Sequence, residues 1–365
     1  MAHLYGREWT RANLLRHVGD LAQVARIQPV RLAGGRGDGM AALEVDAGDG
    51  LRFTVLPSRC LDIAHCAYRG VPLAWISRNG LVAPAYYEPE GDQWLRSFFG
   101  GLLTTCGLRN AGPACDYAGE RHGLHGRIGN TPAEDVSAGG EWLDDEYELH
   151  ISGVMRETHV FNEDLRLIRR MTTRLGGRSI QIHNRVENRG DQRVPLMILF
   201  HINAGFPLLA AESRLIAPDR AVAARDARAT EGLADHARMA PPQAGFAEQV
   251  YFHDVRADAA GWARIAVVNE ALELPFGRGL GLSVSWRRDQ LWNLIEWKQL
   301  GTGDYVLGTE PANNRAEGVA AAAQDGTLEF IEPGEARAFD LELAVLVGQE
   351  EIATFEAALP ESLPA

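Results

Sequence analysis

Two histidines, His122 and His125, lie three residues apart in a segment whose composition is unusual for a packed helix. The segment 122–130 contains three glycines and follows the glycine- and threonine-rich segment 100–110. Glycine is a poor helix former and is common where a chain approaches a ligand closely. The two imidazoles are therefore predicted to line a site, although a histidine taken alone serves structural roles as readily as chemical ones.

Two further polar residues stand at the ends of predicted strands. His201 follows the apolar run 196–200, and a histidine at such a strand end can be shielded from water and still reach a substrate. Glu310 precedes Pro311, which restricts the backbone that carries the carboxylate to extended conformations. We expect His201 to donate a proton and Glu310 to accept one. The structural alternatives are a histidine bonded to a neighbouring carbonyl and a surface glutamate.

The elements expected to position these residues are short strands of alternating apolar and polar residues, separated by turns rich in glycine. Strands in this number, without alternating helices, predict an all-β sandwich rather than a parallel α/β sheet. One short helix is expected within residues 8–27, with Thr10 available as its N-cap. The predicted strands are residues 42–46, 51–57, 61–68, 147–154, 165–175, 179–188, 194–201, 249–253, 263–269, 281–286, 291–297, 305–310, 326–331 and 338–346.

No break in composition divides the chain of 365 residues. We expect an N-terminal helical segment at 1–28, a single β-sandwich domain at 29–350 and a C-terminal tail at 351–365. Residues 217–248 show little periodicity and are predicted to form a surface excursion. The alternation in the strand 179–188 places His183 on the polar face, so we assign it no chemistry.

The composition limits the classes of partner. A net charge of −13 argues against binding to nucleic acid or to an anionic membrane surface, because both reward a concentrated positive face. The chain begins without the apolar core of a secretory signal, and it has no apolar run long enough to span a membrane. We expect a cytoplasmic protein that acts on a small molecule, as a monomer or a homodimer. Its four cysteines lack the spacing of a zinc module; they are Cys60, Cys66, Cys106 and Cys115.

The order of several short motifs resembles that of the aldose 1-epimerase, or galactose mutarotase-like, superfamily over residues 30–350. These motifs are Arg109-Asn110, Leu124-His-Gly126, His201-x-Asn203 and Gly308-Thr-Glu-Pro311. The runs Gly-Leu-Leu-Thr-Thr-Cys-Gly-Leu and Glu-Pro-Ala-Asn resemble a poorly characterised branch of that superfamily. The resemblance implies a large antiparallel β-supersandwich. The short N-terminal helix is predicted separately, from residues 8–27. The resemblance also implies interconversion of sugar anomers through the open-chain form.

The resemblance implies a role for each matching residue. Glu310 would take the proton of the anomeric hydroxyl, His201 would give a proton to the ring oxygen, and His125 would form a hydrogen bond near that oxygen. Arg109 and Asn110 would bind sugar hydroxyls, although the sequence around them departs from the commoner form of the family. This chemistry requires no metal, nucleotide or other cofactor.

Three basic residues, Arg59, Arg109 and Lys298, are expected to give the pocket a cationic character suited to a carboxylated, sulfonated or phosphorylated sugar. Trp297, next to Lys298, is the tryptophan expected to stack on the sugar. The candidate substrate-binding residues are Arg59, Arg109, Asn110, His122, Asn203, Trp297 and Lys298.

Two other functions fit the same residues. In a metal-dependent sugar isomerase, Mn, Zn or Fe would be held by Glu120, His122, His125 and His201. In a sugar-binding sandwich without catalytic activity, the same pocket would hold a ligand, and Glu310 would be dispensable for binding.

Overall fold

Strands, many of them with alternating exposure, are the predominant secondary structure in the computed structural model, which describes residues 1–360. In the strand Ser179–Asn188, the side chains of Ile180, Ile182 and Val186 are buried. His183 lies on the other face, where its Nδ1 is 3.0 Å from Oδ1 of Asp340. The predicted outward direction of His183 is confirmed, and it follows from the two-residue period of a strand.

The described chain contains twenty-five strands and four α-helices, connected by loops and short 3-10 turns. The strands are β1 (Ala2–Leu4), β2 (Arg7–Trp9), β3 (Arg26–Arg31), β4 (Ala41–Asp46), β5 (Leu51–Leu56), β6 (Asp62–Tyr68), β7 (Val71–Pro72), β8 (Thr104–Leu108), β9 (Cys115–Tyr117), β10 (Glu120–His122), β11 (Glu134–Leu143), β12 (Glu146–Thr158), β13 (Asp164–Arg174), β14 (Ser179–Asn188), β15 (Val194–Pro195), β16 (Met197–Ala204), β17 (Arg214–Ile216), β18 (Asp219–Ala224), β19 (Gln249–Val255), β20 (Trp262–Leu274), β21 (Gly277–Arg287), β22 (Asn293–Gly301), β23 (Asp304–Ala312), β24 (Phe330–Ile331) and β25 (Ala336–Val347). The helices are α1 (Arg11–Leu15), α2 (Ala227–Gly232), α3 (Val319–Gln324) and α4 (Gln349–Ala357).

Three antiparallel sheets enclose the main core. Their strand orders are β11-β12-β13-β14-β25-β21-β20-β17 in the eight-stranded sheet, β18-β19-β22-β23-β16-β8 in the six-stranded sheet and β3-β4-β5-β6-β7 in the five-stranded sheet. Ile182, Phe200 and Val45, one from each sheet, belong to the same buried apolar cluster. The predicted all-β supersandwich is confirmed, with a core shared between sheets as in other sandwich folds.

A buried ion pair joins two of these sheets. Arg169 of β13 donates from Nη1 to Oδ1 of Asp62 at 2.8 Å and from Nη2 to Oγ1 of Thr105 at 2.7 Å. Neither charged side chain of the pair is exposed. A buried charge is tolerated only when it is paired and hydrogen-bonded, as it is in this network.

The strand β16 has a central position in the six-stranded sheet, between β23 and β8, and is buried along its whole length. Phe200 and Ile202 point into the main core, whereas Leu199 belongs to a second apolar cluster on the opposite face of the sheet. Because side chains alternate along a strand, His201 shares the face of Leu199. An almost uniformly apolar strand therefore directs one imidazole away from the main core.

The two ends of the chain differ in part from the predicted segments. The predicted helix is α1, and Oγ1 of its N-cap residue Thr10 accepts a hydrogen bond from the Asn13 amide at 3.2 Å. The predicted helical segment 1–28 also contains β1, β2 and the start of β3, so it is not purely helical. The helix α4 packs Ile352 into a small apolar cluster, and the last part of the predicted tail, 361–365, lies outside the described residues. Within residues 1–360, no helix combines the length and apolar content that crossing a lipid bilayer requires.

Candidate active site

Three neighbouring strands of the six-stranded sheet place polar side chains on one face. His201 lies on β16, Glu310 on β23 and Trp297 on β22. In the pairing of β22 with β23, Ile295 is opposite Glu310 and Trp297 is opposite Gly308. Residues that are distant in sequence therefore meet because they occupy positions of the same parity on adjacent strands.

His201 and Glu310 lie in direct contact at the centre of this face. Nε2 of His201 is 3.1 Å from Oε1 of Glu310, and the two side chains are only 6% and 3% exposed. Gly308 makes this approach possible, because a Cβ at that position would be 2.6 Å from the same carboxylate oxygen and 3.1 Å from the imidazole. The structure thus brings together the two residues predicted to act as acid and base. Their chemical roles remain predictions.

Burial shifts both groups towards their uncharged forms. Desolvation lowers the pKa of His201 to about 3, and the neighbouring His125 acts in the same direction. Desolvation raises the pKa of Glu310 well above its usual range, with a further increase from Glu248 and an opposing effect of Arg225. The favoured state of the pair is a neutral imidazole beside a carboxylic acid. The 3.1 Å contact lacks the geometry of a hydrogen bond, so proton transfer between the two groups requires a small reorientation of the side chains.

His125 enters the site from a loop, where its backbone is left-handed with φ of 55°. Its Nδ1 accepts a hydrogen bond from the backbone N–H of Gly112 at 3.2 Å, and its own backbone N–H donates to the Gly112 carbonyl at 2.9 Å. An imidazole that accepts at Nδ1 carries its proton on Nε2, and burial lowers the pKa of His125 to about 4. His125 is therefore a neutral donor whose ring centre lies 6.3 Å from that of His201.

These side chains open into a cavity of about 240 Å³. One wall of the cavity is aromatic: the rings of Trp94 and Phe98 are stacked at 4.5 Å, and the ring of Trp297 lies 5.2 Å from His201. Large aromatic rings offer rigid apolar area, while the imidazoles and the carboxyl group offer directed hydrogen bonds. The cavity suits a ligand with an apolar face and a polar rim.

Two arginines outside the predicted set, Arg225 and Arg315, also line the cavity. Arg225 donates to Oε1 of Glu248 and to Oδ2 of Asp226, both at 3.0 Å, so its charge is largely neutralised. Glu248 also accepts a hydrogen bond from Nε1 of Trp297 at 2.7 Å, which fixes the indole. Arg315 is exposed at the rim.

The expectation that Lys298 and Arg59 make the pocket cationic is wrong. Lys298 follows Trp297 on β22 and therefore points to the opposite face, where its Nζ donates to three backbone carbonyls of the segment 235–238 at 2.6–3.0 Å. Arg59 is completely buried and donates to three backbone carbonyls at 2.7, 2.7 and 3.2 Å. Both cations hold loops in place, and neither lines the cavity.

Arg109, Asn110 and His122 also lie away from the cavity, contrary to their predicted contact with substrate. Arg109 is 2.7 Å from a carboxylate oxygen of Glu120 and 3.0 Å from one of Glu163. The Asn110 amide donates to the backbone carbonyls of Pro113 and Gly123 and accepts from the backbone N–H of Val319. His122 lines a separate surface depression. Ion pairs thus occupy Arg109, backbone hydrogen bonds occupy Asn110, and His122 faces a different part of the surface.

Asn203 stands behind the pair rather than in the cavity. Its amide donates to the carbonyls of Gly101 and His201, both at 3.0 Å, and so holds the end of β16. Of the predicted site residues, those that line the cavity are His125, His201, Trp297 and Glu310.

The proposed metal ligands Glu120, His122, His125 and His201 do not converge. Glu120 is paired with Arg109, and His122 lies in a separate depression. Nδ1 of His125 is occupied by a backbone N–H, and its ring centre is 6.3 Å from that of His201. The ligand set of the metal-dependent isomerase is therefore wrong.

The cavity residues that the sequence did not reveal have weak local signals. Trp94 and Phe98 are four residues apart in a segment with a 3-10 turn, a spacing that could have indicated a shared surface. Arg315 follows Glu310 closely and could have been assigned with it. Arg225 follows β18 and Glu248 precedes β19, so the predicted excursion 217–248 in fact begins with a strand of the six-stranded sheet, and the pairing of β18 with β19 brings the two residues together.

Comparisons with known structures agree with the fold described above. A "putative aldose 1-epimerase" from Klebsiella pneumoniae is 27% identical, with a TM-score of 0.83 over 91% of this chain and 86% of that one. A galactose mutarotase-like protein from Clostridium acetobutylicum has a TM-score of 0.58 at 12% identity, over 88% of this chain and 99% of that one. Galactose 1-epimerase from Lactobacillus acidophilus has a TM-score of 0.55 at 12% identity, over 89% and 100%. Comparison with curated protein sequences gives no significant match.

The fold is that of the galactose mutarotase-like sandwich class, to which the structure described as a "putative aldose 1-epimerase" is also similar. The model of the family described as "Domain of unknown function (DUF4432)" matches residues 37–345. The chain belongs to that family.

Proposed function

We propose that this protein is a mutarotase that interconverts the α and β anomers of a monosaccharide by opening and closing its ring. The observation that carries the proposal is the contact of His201 with Glu310, 3.1 Å apart and buried, at the floor of a cavity. A base and an acid in contact with each other are the groups that ring opening requires.

The proton that the pair holds supports the following sequence of steps. When the sugar enters, the proton of Glu310 passes to His201, which leaves a carboxylate and an imidazolium. The carboxylate takes the proton of the anomeric hydroxyl as the C–O bond to the ring oxygen breaks, and the imidazolium gives its proton to that oxygen. The open chain thus forms beside a neutral pair, which is also the favoured state of the empty site. After rotation about the C1–C2 bond, the reverse steps close the ring on the other face.

The remaining cavity residues fit this role. The Nε2–H of His125 can donate to the ring oxygen or a nearby hydroxyl without adding charge, because its Nδ1 accepts from the Gly112 amide. The rings of Trp94 and Phe98 can cover the apolar face of the sugar. A volume of about 240 Å³ is below the range of roughly 300–1,000 Å³ typical of pockets for drug-sized ligands. We therefore infer a single sugar ring as substrate.

The charges of the cavity bear on an anionic sugar. Arg225 is already paired with Glu248 and Asp226, so it has little charge to offer a ligand. Arg315, exposed at the rim, is the cation that a carboxylate, sulfonate or phosphate of the substrate would meet. An anionic group would then point out of the cavity, away from Glu310.

The test is the exchange rate between anomers, followed by NMR on a panel of neutral and acidic monosaccharides. The proposal requires accelerated exchange of at least one sugar and its loss in Glu310→Gln. The alternative is a sugar-binding protein without catalysis, for which a ligand of the panel would bind without accelerated exchange. That result with the wild-type protein would refute the proposal.

A further inference from the structure

A second group of polar residues, His236, His253 and Glu296, lies inside the molecule. Nδ1 of His236 and Nε2 of His253 are 3.0 and 3.1 Å from one and the same oxygen, Oε2 of Glu296. The three donor atoms lie within 4.8 Å of one another. His253 and Glu296 are at most 1% exposed, whereas 18% of the His236 side chain is exposed. This group is called the His236 cluster below.

Three separate elements build the His236 cluster. Glu296 lies on β22 and His253 on the adjacent strand β19, both on the face opposite Trp297. His236 comes from the excursion 217–248, at the end of the 3-10 turn that follows α2. Lys298, two residues after Glu296, binds the carbonyls of this turn and holds the backbone of His236 over the sheet. The cluster therefore joins the excursion to the sheet, at a place distinct from the candidate active site.

The surroundings of the cluster match those of a metal site. Nδ1 of His253 is 3.0 Å from Oδ2 of Asp219, and a carboxylate that accepts from the remote nitrogen of a histidine is the usual support of a metal-ligating imidazole. Oε1 of Glu296 is buried and accepts no hydrogen bond from any residue in 1–360. A buried carboxylate oxygen without a donor costs free energy, and a cation bound through both oxygens of Glu296 would compensate for it.

We propose that His236, His253 and Glu296 bind a divalent transition-metal ion, for which Zn²⁺ has the best-matched chemistry. Two imidazoles and one carboxylate are a ligand set that Zn²⁺ accepts, with a fourth position left for water. Tetrahedral ligands about 2.0–2.1 Å from Zn²⁺ are about 3.3 Å apart, and the two distances to Oε2 of Glu296, 3.0 and 3.1 Å, are within a few tenths of an ångström of that value. The third distance, between the two imidazole nitrogens, is at most 4.8 Å, so His236 at the edge of the cluster has to adjust around the ion. The exposed edge of His236 gives the ion a path of entry.

The ion would stabilise the wall of the sugar cavity without taking part in its chemistry. It would tie the excursion to β19 and β22, and the excursion also carries Arg225. This proposal does not depend on the proposed mutarotase activity, because its ligands lie on the other face of the sheet.

The experiment measures metal binding directly on the full chain. Protein stripped with a chelator is titrated with Zn²⁺ in a calorimeter, and with Co²⁺ while its visible d–d bands are recorded. We expect one equivalent of either ion per chain, a tetrahedral Co²⁺ spectrum and a rise in the thermal unfolding midpoint, with no response to Mg²⁺. Absence of stoichiometric binding in the folded wild-type protein would show that the cluster is only a hydrogen-bonded network and would overturn the proposal.

Variants identify the ligands. His236→Asn, at the most exposed ligand, is expected to abolish the Co²⁺ spectrum while the protein remains folded. Asp219→Asn is expected to weaken binding by about 10-fold, because it alters the support of His253 and leaves the ligands in place. The matched control is His183→Asn, which removes a histidine from another carboxylate pair on the surface. Equal metal binding by the His236 variant and the wild type would also overturn the proposal.

Discussion

Replacement of Glu310 by glutamine tests the proposed chemistry most directly. Glutamine keeps the size of the side chain and can fill the space beside Gly308, but it cannot take the proton of the anomeric hydroxyl. General acid–base catalysis contributes about 10²–10⁴-fold to a rate. We therefore expect the exchange rate to fall by that factor, which corresponds to about 3–5 kcal/mol of activation free energy.

The same substitution should lower activity without lowering the free energy of unfolding. Burial raises the pKa of Glu310, so the native protein holds a proton that the unfolded chain has released above the ordinary pKa of glutamate. The wild type therefore loses stability as pH rises from about 4.5 through the folded-state pKa of Glu310. Glutamine does not ionise, so Glu310→Gln should be at least as stable as the wild type at neutral and alkaline pH.

The assay combines anomer exchange by NMR with denaturant unfolding of the same preparation. The control is Glu120→Gln, which removes a carboxylate that pairs with Arg109 outside the cavity and should leave exchange unchanged. Retention of wild-type exchange by Glu310→Gln would refute the assignment of the base. If Glu120→Gln lost exchange and Glu310→Gln did not, the placement of the active site in this cavity would be refuted.

Three further substitutions test single features of the structure. The pKa of His125 is lowered to about 4, so the unfolded chain binds more protons at this residue below pH 6.5, and His125 alone should contribute a loss of about 1–2 kcal/mol between pH 7 and pH 5. His125→Asn, whose asparagine tolerates the left-handed backbone, should therefore lose less stability than the wild type in urea titrations over this range. Arg169→Leu leaves Asp62 buried without its cation and should lower the free energy of unfolding by about 3–5 kcal/mol, which an unchanged urea midpoint would contradict. Lys298→Met removes three hydrogen bonds to carbonyls and should destabilise the protein by about 2 kcal/mol, while a large rise in KM for every sugar would return Lys298 to the substrate site.

The fold followed from the sequence because the two-residue period of a strand is a local property. The alternation in β14 correctly directed His183 outward and Ile182 inward. The same rule, applied to Trp297 and Lys298, would have separated them, since adjacent residues on a strand point to opposite faces. Both were assigned to the pocket because their residue types suit a sugar site, and the alternation of side chains along the strand was not applied to them.

Other parts of the site depend on tertiary contacts that no local pattern encodes. The guanidinium of Arg59 has the residue type of an anion-binding group, but the folded chain surrounds it with backbone carbonyls. His236 comes from a 3-10 turn and reaches Glu296 over the face of the sheet, which periodicity could not predict. The pair of His201 and Glu310 was predictable because each interrupts a strand at a position that a motif also marks.

Gly308 gives a means of interpreting related sequences. A side chain at this position would occupy the space in which Glu310 and His201 meet. Even a methyl group would push the carboxyl group away from the imidazole. If the pair carries the proposed activity, a relative that retains both residues but has a larger amino acid in place of Gly308 should exchange anomers more slowly. Position 308 therefore indicates whether a related sequence can keep the contact of His201 with Glu310.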